Sequence, residues 1–103
     1  MLDLIIKNGK CYINGELKDA DVAIKDGKIH QIGQISDKAK EKVNAEGQIV
    51  LPGCIDTQTH FREPGSTDTE DLHSGSRAAI VGGITGVFEM PNTNPPTSNR
   101  IEF

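Results

Sequence analysis

The sequence predicts a mixed α/β chain: an antiparallel β meander over residues 1–52, then the first β/α units of a second region over residues 53–103. Three observations carry this expectation. In the first half, short bursts of β-type residues are separated by turn dipeptides. Pro52-Gly53 then interrupts the chain. Beyond it the order changes to strand, loop, helix, strand, the grammar of a β/α unit.

Leu4, Ile5 and Ile6 precede Asn8-Gly9, Lys10 to Ile13 precede Asn14-Gly15, and the alternating run Asp21 to Lys25 precedes Asp26-Gly27. Asn-Gly and Asp-Gly supply the positive φ angles of two-residue hairpin loops, so each dipeptide reads as a tight turn. Lys28 to Ile32 resume strand character with Ile29 and Ile32, up to Gly33. Lys38, Lys40 and Lys42 alternate with Asp37 and Glu41, which reads as a solvated turn or short helix. Gln48 to Leu51 returns to strand.

Cys54 to His60 reads as a strand whose two-residue alternation places Asp56, Gln58 and His60 on one face, with Arg62 joining them if the chain stays extended. Pro64-Gly65 turns the loop that follows. Thr67 with Glu70 fits a capping box, which predicts a helix from about Asp68 to Val81. Leu72, Ser76, Ala79 and Ile80 fall at helical spacing, and Gly82-Gly83 supplies the stop. Ile84 to Met90 forms a second strand that ends in the proline-rich segment Pro91 to Pro96. The apolar Ile84, Val87 and Phe88 on that strand predict an exposed edge that either self-associates, as in a homo-oligomer, or is held by a partner chain.

Composition narrows the function classes. The 103 residues carry 11 Lys plus Arg against 15 Asp plus Glu, a formal charge of −4. The cations are not clustered, which argues against nucleic acid. No apolar run approaches the roughly 20 residues of a membrane span, and the N-terminal residues lack the order of a secretory signal. A cytoplasmic protein is expected. Cys11 and Cys54 are too far apart in sequence for a Cys-x-x-Cys motif and too few for a four-thiolate zinc site, so both are expected as buried free thiols.

Chemistry concentrates at Asp56-x-Gln58-x-His60-x-Arg62, a carboxylate, an amide, an imidazole and a guanidinium in line. Such a row is costly to bury unless ligands or hydrogen bonds compensate. Elsewhere, His73 is expected on the exposed side of the helix and His30 carries no assigned function. Glu63 reads as a salt-bridge partner for a neighbouring base, Met90 as core, and Asn94 as the residue closing an Asx turn before Pro95.

The wider string, Leu51 to Gly65, Glu70-Asp71, Ser74 to Ala79, Gly82 to Thr85 and Met90 to Pro95, resembles the N-terminal portion of the dihydroorotases, cyclic amidohydrolases of the amidohydrolase superfamily. The pairing of Phe61-Arg-Glu-Pro-Gly65 with Met90-Pro-Asn-Thr-Asn-Pro95 favours that branch over its relatives. The resemblance implies a small β-sandwich subdomain contributed by residues 1–52, followed by the start of a (β/α)₈ barrel. It also implies a zinc-dependent hydrolase, with one or two ions, that interconverts N-carbamoyl-L-aspartate and L-dihydroorotate in pyrimidine biosynthesis. His60 matches the second His of the family's His-x-His metal pair. Arg62 and Asn92 match the residues that hold the substrate carboxylate, and Asp56 would orient the ligands from behind. Gln58 stands where the first His is usual, and an amide oxygen is a weak zinc ligand. That departure leaves two outcomes open, an altered but active metal site or a degenerate, non-catalytic assembly module that pairs with a partner such as aspartate carbamoyltransferase. An allantoinase or dihydropyrimidinase-like activity is the enzymatic alternative. A whole barrel takes roughly 250 residues, so this chain alone is expected to be truncated and inactive, its remaining ligands lying on later strands.

Overall fold

The computed structural model describes residues 1–97, which form two compact units that meet between Pro52 and Gly53. The first is a five-stranded sheet. Its strands are β1 (Leu2–Ile13), β2 (Glu16–Lys25), β3 (Lys28–Gly33), β4 (Ala39–Asn44) and β5 (Ile49–Val50). The order is β3-β2-β1-β4, with β5 also on β1. The antiparallel meander is present as β1-β2-β3. Asn14-Gly15 and Asp26-Gly27 make its two turns, with φ angles of 50° and 83° and of 53° and 72°, the double positive φ of a two-residue hairpin loop.

Two expectations for this region need correction. Asn8-Gly9 is not a hairpin: β1 runs straight through it, and Asn8 (φ 65°) sits at a bulge where the register with β2 shifts between Ile6 and Gly9. The left-handed preference of Asn serves a bulge as well as a turn. The extra residue also reverses the parity of the strand, so that Ile6, before it, packs in the same cluster as Cys11 and Ile13, after it, with Ala20, Val22, Ile24 and Val50. Leu2, Ile5, Ala23 and Ile35 form the other cluster. The Lys38 to Lys42 segment, expected as a turn or short helix, is strand β4 across most of its length, and β4 and β5 both run parallel to β1. Alternating charges suit β4 because it lies at the sheet edge, where lysines discourage further pairing.

Asp21 is the buried carboxylate that joins these pieces. It accepts hydrogen bonds from Lys7 Nζ (2.8 Å), from the Asn8 amide freed by the bulge (2.8 Å) and from the Ile35 amide (3.1 Å). Lys7 also donates to the Ile35 carbonyl at 2.8 Å.

In the second unit, β6 (Cys54–Thr59), α1 (Leu72–Val81) and β7 (Ile84–Glu89) form a β/α/β unit with parallel strands, as the sequence predicts. The helix begins later than expected. Asp71 is its N-cap, with Asp71 and Ser74 forming the capping box in place of Thr67 and Glu70. Residues Ser66 to Glu70 instead close a separate turn, in which the Thr69 and Glu70 amides both donate to the Ser66 carbonyl. Among the described residues Glu63 forms no ion pair, against expectation; its carboxylate accepts from the Leu72 amide at 3.0 Å, satisfying a donor that a helix start leaves unpaired. The Ser74 amide and hydroxyl hold the Asp71 carboxyl below its ordinary value. Gly82 ends the helix and Gly83 leaves it at φ +91°. Cys54 is exposed in this structure, against expectation, because it stands at the start of β6 where little of the unit covers it, whereas Cys11 is buried. Among the described residues, no helix is long and apolar enough to cross a membrane.

Replacing Asp21 by Asn tests the buried carboxylate. Burial raises its pKa, but the bonds from Lys7, Asn8 and Ile35 outweigh this and leave it below the ordinary value. A depressed folded pKa contributes stability above the unfolded value near 3.9, and the contribution fades as pH falls through the folded value. Asp21→Asn is expected to lower the unfolding free energy by about 2–3 kcal/mol at pH 7, and the deficit should shrink below about pH 4. Urea denaturation at both pH values measures it; a pH-independent deficit would exclude the charge as its source.

Candidate active site

His60, Arg62 and Asn92 lie on the chains that leave β6 and β7 where these strands end side by side, and Asp56 and Gln58 lie within β6. Parallel pairing brings the two exits together, and the chains leaving them, Thr59 to Gly65 and Glu89 to Pro95, are laced to each other. The Met90 amide donates to the Thr59 carbonyl at 2.8 Å. The Glu89 carboxylate accepts from the Phe61 amide at 2.8 and 3.1 Å and from its neighbour Met90 at 2.9 Å. Further out, the Asn94 amide donates to the Pro64 carbonyl at 3.1 Å. Gly65, at φ +108°, lies so close to the Asn94 backbone that a Cβ would collide with its carbonyl oxygen. Asn94 therefore serves as a loop tie through its main chain, while the turn before Pro95 is braced by the Thr93 hydroxyl donating to the Pro95 carbonyl at 2.8 Å.

Within this frame His60 and Asn92 meet, with Nδ1 2.9 Å from Oδ1 across 32 residues of sequence. Both side chains are exposed. Arg62 is exposed as well, on the turn that its own carbonyl closes by accepting from the Ser66 amide at 2.8 Å. The Asp56 carboxylate accepts from the Gln58 amide at 3.0 Å, within its own strand. The β6–β7 register slips between Asp56 and Thr59, so the two-residue alternation expected to align Asp56, Gln58 and His60 is interrupted there. Gln58 is exposed. Among the described residues, no group of three His, Cys, Asp or Glu side chains converges as a metal site.

Glu89 was not among the sequence candidates. Its signal is present nonetheless: it is the one charged residue in the apolar run Ile84 to Met90. Such a placement marks a carboxylate with amides to satisfy. Met90 is half-buried and His73 is exposed.

A model described as "Amidohydrolase family" matches residues 49–102. A dihydroorotase from Carboxydothermus hydrogenoformans is 45% identical over 101 residues, covering 95% of this chain and 24% of that protein. An allantoinase from Escherichia coli O1:K1 / APEC is 48% identical over 99 residues, covering 95% of this chain and 22% of that protein. The chain thus spans about a quarter of the length of the curated relatives it matches. The solved structure of an L-hydantoinase (dihydropyrimidinase) from Arthrobacter aurescens superimposes with a TM-score of 0.85 at 33% identity, over 96% of this chain and 23% of that one.

If Glu89 anchors the two exits, Glu89→Gln should cost about 1–2 kcal/mol, because a neutral amide accepts the Phe61 and Met90 amides less strongly than a carboxylate does. The measurement is the urea midpoint of the transition that reports on the second unit. An unchanged midpoint would leave the Glu89 bonds without energetic weight.

Proposed function

The chain belongs to the amidohydrolase family, and on that premise we propose that the protein carrying it is a metal-dependent cyclic amidohydrolase interconverting N-carbamoyl-L-aspartate and L-dihydroorotate. One observation carries the reading. An imidazole and an amide meet at the carboxyl ends of neighbouring parallel strands, the end at which the active sites of β/α barrels lie. In this proposal β6, α1 and β7 belong to such a barrel.

The family is generally metal-dependent, and the donors in hand bear on how a metal would be held. His60 offers an imidazole nitrogen, a donor that Zn²⁺ favours, whereas Gln58 offers a neutral amide oxygen, a weak one. His60 therefore fits as one ligand, and the proposal assigns the remaining strong donors to residues other than those described. When bound, the metal would polarise the ring carbonyl and lower the pKa of water. Arg62 would bind the substrate carboxylate through its planar fork, and the Asn92 NH₂ group would donate a second hydrogen bond to it. Asp56 would fix the strand end beneath Gln58 through the amide bond described above.

A second reading rests on the allantoinase relative, whose identity to this chain is as high as that of the dihydroorotase. Steady-state ring opening of dihydroorotate and of allantoin by the zinc-loaded protein separates the two. Dihydroorotate is expected to react faster by about tenfold or more, a difference of about 1.4 kcal/mol in transition-state binding. Faster allantoin turnover would move the assignment to the second reading. Turnover of neither ring would favour the non-catalytic alternative that Gln58 raises.

Arg62→Lys is expected to raise KM for dihydroorotate about ten- to hundredfold, as a bidentate contact becomes a point charge. The effect on kcat should be smaller. An unchanged KM would remove Arg62 from the carboxylate site.

A further inference from the structure

We infer that Asn92 is a positioning residue for His60: its side-chain carbonyl selects the imidazole tautomer protonated on Nδ1 and leaves Nε2 as the nitrogen bearing the lone pair. The contact is 2.9 Å between Nδ1 and Oδ1. An amide oxygen can only accept, so Nδ1 donates. A neutral imidazole carries a single N–H, so Nε2 has none. Which nitrogen of a histidine is available to a metal or a substrate is set by the bond its other nitrogen makes.

The pairing is not a chance meeting of two loose side chains, since both backbones are fixed on each side. Before His60, the Thr59 carbonyl accepts from Met90 at 2.8 Å, and after it the Phe61 amide is held by Glu89. Before Asn92, the Pro91 carbonyl accepts from the Thr93 and Thr97 amides at 2.9 and 3.0 Å. With its oxygen committed to His60, Asn92 keeps its NH₂ group for a substrate anion, so one side chain serves two purposes. The use of Nε2 as a metal ligand rests on the function proposed above; the tautomer itself does not.

The experiment is a long-range ¹H–¹⁵N correlation spectrum of the ¹⁵N-labelled 103-residue chain, recorded without metal at about pH 8. His30 and His73, both exposed, act as references in the same spectrum. The expected result is Nδ1 protonation of His60 in the wild type, reversion to the reference pattern in Asn92→Ala, and retention of Nδ1 protonation in Asn92→Asp, where a carboxylate oxygen still accepts. Protonation of His60 on Nε2 in the wild type, or an unchanged pattern in Asn92→Ala, would overturn the inference. Zinc titration of the longer protein that carries this chain, wild type and Asn92→Ala, then tests the ligand use separately. Asn92→Ala is expected to weaken binding at His60 about tenfold. A wild type protonated on Nδ1 that leaves its His60 resonances unmoved by zinc would keep the tautomer assignment and overturn the metal reading.

Discussion

Two parallel strands that end together leave amides and carbonyls projecting beyond the ladder, and the way these groups are satisfied fixes everything at the candidate site. Glu89 does most of this. Its carboxylate binds the amide two residues after the end of β6 and the amide one residue after the end of β7. A buried or half-buried amide without a partner costs about as much as a lost hydrogen bond, so the two exits are tied to one point. The geometry of His60 against Asn92 follows from that tie and from the Thr59–Met90 bond beside it.

The same logic recurs in the first unit with a different carboxylate. Asp21 accepts the amide that the Asn8 bulge removes from the ladder, together with the Ile35 amide and the Lys7 ammonium. The bulge keeps Ile6, before it, and Cys11 and Ile13, after it, in one apolar cluster, because an extra residue exchanges the faces of a strand whose side chains alternate. A hairpin at Asn8-Gly9 would have ended the strand on which β2, β4 and β5 all pair.

At the site itself, the chemistry that the sequence suggests is distributed unevenly by the structure. His60 and Asn92 are in contact, and Arg62 stands exposed on the adjoining turn. Asp56 is committed to its own strand at Gln58. Glu63, adjacent to Arg62, is committed to the start of α1 rather than to a cation. Carboxylates at this end of the sheet therefore serve backbone amides first. In the proposed reading, Gln58 offers only a weak metal donor, and His60 is the described residue to which ligation is assigned.

The sequence by itself determined what short-range sterics govern. The turns at Asn14-Gly15 and Asp26-Gly27, the end of α1 at Gly82-Gly83 and the strands on either side of that helix were all legible, because each depends on a few neighbouring residues. Tertiary structure decided between outcomes that the same local preference permits. Asn8 takes a left-handed conformation in a turn or a bulge alike, and the choice fell to a carboxylate 13 residues away. Thr67 and Asp71 can each cap a helix, and Asp71 was selected where Ser74 completes its box and Glu63 reaches the Leu72 amide. The meeting of His60 with Asn92 lies beyond local preference altogether, since parallel strands acquire their neighbours only when the intervening helix folds back and the long-range hydrogen bonds close.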